Sequence, residues 1–150
     1  MIDRNTGKQL LPCTSLACTA PTSRSLPSRL LTHVREAEAA GFGAAMSSDH
    51  FSPWSERQGE SGFAWSFLGA ALQATELPFG VVNAPGQRYH PAIVAQAAAS
   101  LCELFPGRLW VALGSGEASN EHRVGLLGHG FRRVGEIVAA LVPHTGTPIT

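Results

Sequence analysis

The sequence is poor in cysteine, in charged residues and in long apolar runs. Its three cysteines, Cys13, Cys18 and Cys102, form neither a zinc-ligand spacing nor a disulfide framework. Eleven basic residues balance eleven acidic ones, so no net charge draws the chain to nucleic acid or an anionic membrane. No apolar stretch reaches the roughly 18 residues of a membrane-spanning helix. The N-terminus lacks the basic start and apolar core of a secretory signal, and a cytoplasmic location is expected. No G-x-S-x-G elbow occurs, which leaves Ser/His/Asp hydrolysis unsupported. His33, His122, His129 and His144 show no ligand spacing, so no metal site is expected.

What is present is a chain of 150 residues, 44% hydrophobic and 15% charged, which is enough to bury a core and too apolar for disorder. Sixteen glycines and ten prolines point to many turns. Residues 1–27 are rich in Thr, Ser, Pro and Ala without a sustained period. A short strand near Leu10 to Ala17 fits there, but Pro12 argues against a central one, and an irregular segment is expected. Residues 28–122 alternate clearly. The spacing predicts a helix from a Ser28 cap to Gly41, with Leu31, Val34 and Ala37 as its stripe. A strand over Phe42–Ser48 follows, then a helix capped by Ser61 with Phe63, Phe67, Leu68 and Ala71 on one face. Next come a strand in LPFGVVNAP and a helix starting at Pro91. That helix has His90 as cap and Ile93, Ala97, Leu101 and Leu104 inward. Cys102 reads as a small core residue within it. RLWVALGSG closes the run as a third strand. Residues 123–150 read as one more helix and a turn-like tail.

Continuous apolar strands alternating with helices imply an α/β fold with a parallel sheet. In open α/β sheets and in (β/α)₈ barrels, function gathers at the C-terminal strand ends. Here those ends are SDH at 48–50, VNAP at 82–85 and GSGE at 114–117. Asp49 and His50 alternate on a regular strand but can both reach the rim where the strand ends. His50 can then act as acid, base or hydrogen-bond donor over a bound ring, or simply lie exposed while Asp49 caps the loop. Glu117 follows Gly114, Ser115 and Gly116. Those glycines either let backbone N–H groups approach a ligand or make a plain strand-to-helix turn. Asn83 either meets a ligand or caps its own turn. Trp54, after Pro53, can form an aromatic wall, whereas Trp65 reads as packing. Arg88 and Tyr89 precede a helix and are assigned nothing. GSGEAS is neither G-x-G-x-x-G nor a P-loop. It also follows the last clear strand, which ranks a Rossmann domain low.

The blocks EAEAAGF, SSDHFSPWSERQGESGFAWSFLGAALQAT, FGVVNAPGQRYHPAIVAQAAASL and FPGRLWVALGSGEASNEH resemble the luciferase-like oxidoreductase family. They are most similar to the branch of F420-dependent glucose-6-phosphate dehydrogenases and their flavin-using relatives. The resemblance covers about residues 28–122. It implies part of a (β/α)₈ barrel with a flavin or deazaflavin across its C-terminal mouth and hydride transfer at the ring. It implies His50 and Glu117 as the catalytic pair and Trp54 beside the substrate. Asp49, His50, Val82, Asn83, Gly114, Ser115, Gly116 and Glu117 would hold the cofactor, with Val82 and Asn83 at a strand-end bulge. SERQGxSGFAWS and NAPGQRYHPA favour FMN, with F420 as the alternative. The expected partner is a small molecule, with alcohol, aldehyde and sugar phosphate all open, and neither nucleic acid nor membrane; a homodimer is left open.

A complete barrel takes roughly 250 residues. The sequence therefore suggests a truncated form, about half a barrel, with weak flavin binding or none on its own. The alternative expectation is a non-catalytic half-barrel that acts by pairing with another chain.

Overall fold

A computed structural model describes residues 17–19, 26–53, 59–83 and 88–114. Four strands and three helices alternate: β1 (Ala17–Thr19), α1 (Pro27–Ala39), β2 (Ala44–Asp49), α2 (Ala64–Ala74), β3 (Phe79–Asn83), α3 (Pro91–Leu104) and β4 (Leu109–Leu113). The sheet order is β1-β2-β3-β4, and every neighbouring pair is parallel. With right-handed crossovers, a sequential parallel order puts all the helices on one side. It contains no point where strand order reverses, the feature that defines a doubly wound dinucleotide fold.

Register follows the side-chain pattern. Ala45, Phe79 and Leu109 align across the sheet, then Ser47, Val81 and Val111, then Asp49, Asn83 and Leu113. These rows face the helices. Phe79 and Val81 are fully buried, in one cluster with Leu30 and Val34 of α1, Phe67, Leu68 and Leu72 of α2, and Val94 and Ala98 of α3. Burying Phe79 alone contributes about 2–3 kcal/mol. The alternate rows, Met46-Gly80-Trp110 and Ser48-Val82-Ala112, face the other way. Val82 and Trp110 there are 41% and 49% exposed.

Several local expectations shift by a few residues. Ala17–Thr19 lies inside the segment expected to be irregular, and three parallel pairings to Ala44, Ala45 and Met46 define it as a strand. Helix α1 starts two residues earlier, with Pro27 in its first turn and Leu26 at the N-cap position, so Ser28 is not the cap. Its end matches the expectation. Gly41 takes φ 89°, its N–H donates to Glu38, and Phe42 N–H donates back to Ala37. That pair of bonds is a Schellman closure, which needs a left-handed residue at this point. His90 caps α3 as expected, its Nδ1 accepting from Ala92 N–H at 3.2 Å. The inward face of α3 is Val94, Ala95, Ala98 and Leu101, while Ile93 and Leu104 are exposed. Cys102 is only half-buried, and burial pushes its thiol pKa up.

Gly80 is a point of close approach. The Trp110 indole from β4 lies against it, where any Cβ would overlap the ring. Gly80→Ala is expected to lower stability by about 1–3 kcal/mol, because the ring must leave its position. In a Trp110→Ala background the same substitution should be nearly neutral. Urea unfolding of the double-mutant cycle measures this, and additive effects would contradict it.

Candidate active site

The C-terminal ends of β2, β3 and β4 stand level, since Asp49 pairs with Asn83 and Asn83 with Leu113. The last residue of β2 faces the helices, which drives the Asp49 carboxylate into the interior. A buried carboxylate needs partners to offset its lost hydration. Asp49 has three. Asn83 Nδ2 donates to Oδ2 at 2.5 Å, Tyr89 OH donates to Oδ1 at 3.2 Å, and Arg88 forms an ion pair with Oδ1. Arg88 Nη2 also donates to Tyr89 OH at 2.6 Å, which closes a three-membered network. Both carboxylate oxygens are therefore engaged, and the side chain is 1% exposed.

Beside this network lies a pocket of about 310 Å³. His50, the first residue past β2, lines it with Phe51, Ser61, Phe63, Arg88 and Tyr89. Ser61 does not cap α2. Its Oγ instead donates to the His50 carbonyl at 2.6 Å. The Arg88 guanidinium lies 4.3 Å from the Tyr89 ring centre and 6.0 Å from that of Phe51. Phe63 and Tyr89 sit with ring centres 6.2 Å apart. The walls are thus aromatic, and the charge at the back is internally balanced.

Burial, then the negative charge of Asp49, raise the Tyr89 phenol well above its ordinary value, with Arg88 pulling back in part. A phenol whose pKa is raised by folding stabilises the fold below its unfolded value of about 10, and that contribution is lost as pH climbs through the folded value. Tyr89 is the chain's one tyrosine, so tyrosinate absorbance reads it alone. The titration is expected late in the folded chain and earlier in Asp49→Asn; the reverse order of the two curves would contradict the assignment.

The sequence profile of the luciferase-like monooxygenases matches residues 13–149. The chain belongs to the luciferase-like monooxygenase family. One relative in it is an F420-dependent glucose-6-phosphate dehydrogenase of Intrasporangium calvum, 46% identical over 104 residues, which cover 68% of this chain and 31% of that protein. A solved F420-dependent secondary alcohol dehydrogenase, in complex with an F420-acetone adduct, is 36% identical with a TM-score of 0.74. That match covers 84% of this chain and 39% of the other. The FMN complex of the oxygenating constituent of 3,6-diketocamphane monooxygenase from Pseudomonas putida shares the fold, with a TM-score of 0.62, at 16% identity over 87% of this chain and 38% of that one. The chain spans about a third of the length of the curated relative it matches. The α/β fold with a parallel sheet expected from the alternation of elements is present, and it is a partial barrel of the luciferase-like type, as the resemblance implied.

Within this luciferase-like frame the structure brings Asp49, His50 and Asn83 together at one rim, Asp49 and His50 on the pocket and Asn83 behind Asp49. Val82 points to the opposite face of the sheet from Asn83. The ladder runs without a bulge through Asn83 and on to Gly114, whose N–H donates to the Asn83 carbonyl at 2.8 Å. No cis peptide occurs among the described residues. Trp54, Ser115, Gly116 and Glu117 lie outside the described residues. Arg88, Tyr89 and Ser61 are the site residues that sequence reasoning passed over. The available signal was their place in the βα loops that follow β2 and β3, at the end of the sheet where barrels carry function. Among the described residues no helix is long and apolar enough to cross a membrane.

Proposed function

We propose that this chain carries the ring-binding and acid/base portion of an F420-dependent dehydrogenase acting on a hydroxyl or carbonyl substrate. The observation that supports this most is the shared rim, where His50 stands at an aromatic pocket beside a carboxylate that is already fully partnered. The family membership and the F420-dependent relatives at 46% and 36% identity point the same way. They favour F420 over the FMN towards which the sequence leans, and FMN is bound by a structural neighbour of only 16% identity.

The residues present suit a flat heterocycle. Phe51, Phe63 and Tyr89 offer ring surface, and about 310 Å³ is at the small end for a ligand cavity, enough for part of a cofactor. When bound, a deazaflavin supplies the hydride acceptor or donor. His50 is placed to exchange the proton of the substrate hydroxyl, accepting it in the oxidising direction. Asp49 holds its neighbours and exchanges no proton, because both oxygens are occupied. On the family resemblance, Glu117 is the second acid/base group and Trp54 borders the substrate. The resemblance also puts Val82 and Asn83 at the cofactor; their side chains face opposite sides of the sheet and Asn83 acts through Asp49, so only one of them can face the ring directly. Gly114, Ser115 and Gly116 edge the ring on the same resemblance.

Titration of the chain with F420 and, separately, with FMN, followed by ring fluorescence, tests this reading. Weak but saturable F420 binding, tighter than FMN binding, is expected from a partial barrel, and His50→Ala should weaken it further. Tighter FMN binding, or binding of neither, would overturn the proposal.

A further inference from the structure

We propose that Arg88, Tyr89 and Ser61 are positioning residues that fix His50 at the pocket. This rests on the reading of His50 as the acid/base group.

His50 belongs to neither a helix nor a strand, so how the turn after β2 is held contributes to where its ring sits. Three consecutive residues, the last of β2 and the first two of that turn, are tied down from outside. The Asp49 side chain is held by Arg88 and Tyr89, from the loop that enters α3. The His50 carbonyl is held by Ser61, from the loop that enters α2. The Phe51 ring faces the Arg88 guanidinium. Arg88 therefore contacts the residues on both sides of His50. A planar guanidinium can serve a carboxylate and aromatic faces at once, which an ammonium cannot. A buried ion pair is a poor device for stability alone, because apolar residues of similar volume are often as good or better. It is better suited to fixing one geometry. The placement at the active rim, with the neighbouring Asn83 adding a third partner to Asp49, agrees with that purpose.

The test uses the ring C–H cross-peaks of the histidines in the unliganded chain, with His50 assigned by its loss in His50→Gln. In Tyr89→Phe and in Ser61→Ala, each of which removes a single hydroxyl, the His50 peak is expected to shift and broaden. His33, on the exposed side of α1, should stay in place. Arg88→Met should move the His50 peak further, and Arg88→Lys should fall between it and wild type. Circular dichroism confirms that each variant is folded. A stationary His50 peak in the folded Tyr89→Phe and Ser61→Ala variants would overturn the proposal, and so would an equal movement of His33, which would mark a general loosening. The readout needs no cofactor, so failure to bind F420 or FMN would remove the functional reading and leave the positioning result standing.

Discussion

Arg88→Met should lower stability by about 3 kcal/mol, distinctly more than Asp49→Asn at about 1–2 kcal/mol. The asymmetry comes from which partner can escape. The Asp49 side chain is 1% exposed and the Arg88 side chain 17%. Removing the arginine strands a carboxylate in the interior with two neutral donors, Asn83 and Tyr89. Removing the carboxylate charge leaves a cation that can turn towards water while its stem stays against Tyr89 and Phe51. The double variant should be more stable than Arg88→Met alone, because the stranded charge is gone. Urea unfolding of both single variants and the double reads all three values and their coupling. Equal single costs that add would show that Asp49 is not confined as described.

The parts of this fold that the sequence made legible are those with local contrast. The rim was readable because each apolar strand ends in a polar residue or glycine, and the register does align Asp49, Asn83 and Leu113. Helix α1 was readable because charged residues alternate with its apolar stripe. Helix α3 was misread by about one position: Gln96, Ser100 and Glu103 do mark its exposed face, but the large apolar residues Ile93 and Leu104 lie on that face too, and the buried side includes the small residues Ala95 and Ala98. Strand β1 is three residues long, and its pairing with β2 rather than any local pattern defines it. Ser61 has the sequence look of a helix cap, but its hydroxyl serves a carbonyl eleven residues back. The network around Asp49 could not be read at all. It joins residues separated by 34 and 40 positions, and nothing in the neighbourhood of Arg88 or Tyr89 marks the partner.

Arg108→Met should lower stability by about 2–4 kcal/mol while leaving the His50 pocket unchanged. Arg108 immediately precedes β4, at the opposite end of the strands from the pocket. Its Nη2 faces three carbonyls, of Leu72 at 3.0 Å, Thr75 at 2.5 Å and Leu77 at 2.9 Å. These are the last carbonyls of α2 and those of the loop leading to β3, so one guanidinium closes a helix terminus and sets the entry to the next strand. A cation is favoured there by the helix dipole as well as by the unpaired carbonyls. Without it, part-buried carbonyls lose their partner, at about 1–3 kcal/mol for each one that water cannot reach. Arg108→Lys should recover less than half, since the lysine stem ends one atom short of Nη2 and its strongly hydrated ammonium is costlier to bury among carbonyls. The nearby carboxylate of Glu76 is not the cause, because it lies 3.9 Å from Nη1 and is 95% exposed. Such a pair contributes little, and Glu76→Gln serves as the control. Thermal unfolding of the three variants decides between the two partners. A loss in Glu76→Gln matching that in Arg108→Met would assign the effect to the surface ion pair instead of the helix end.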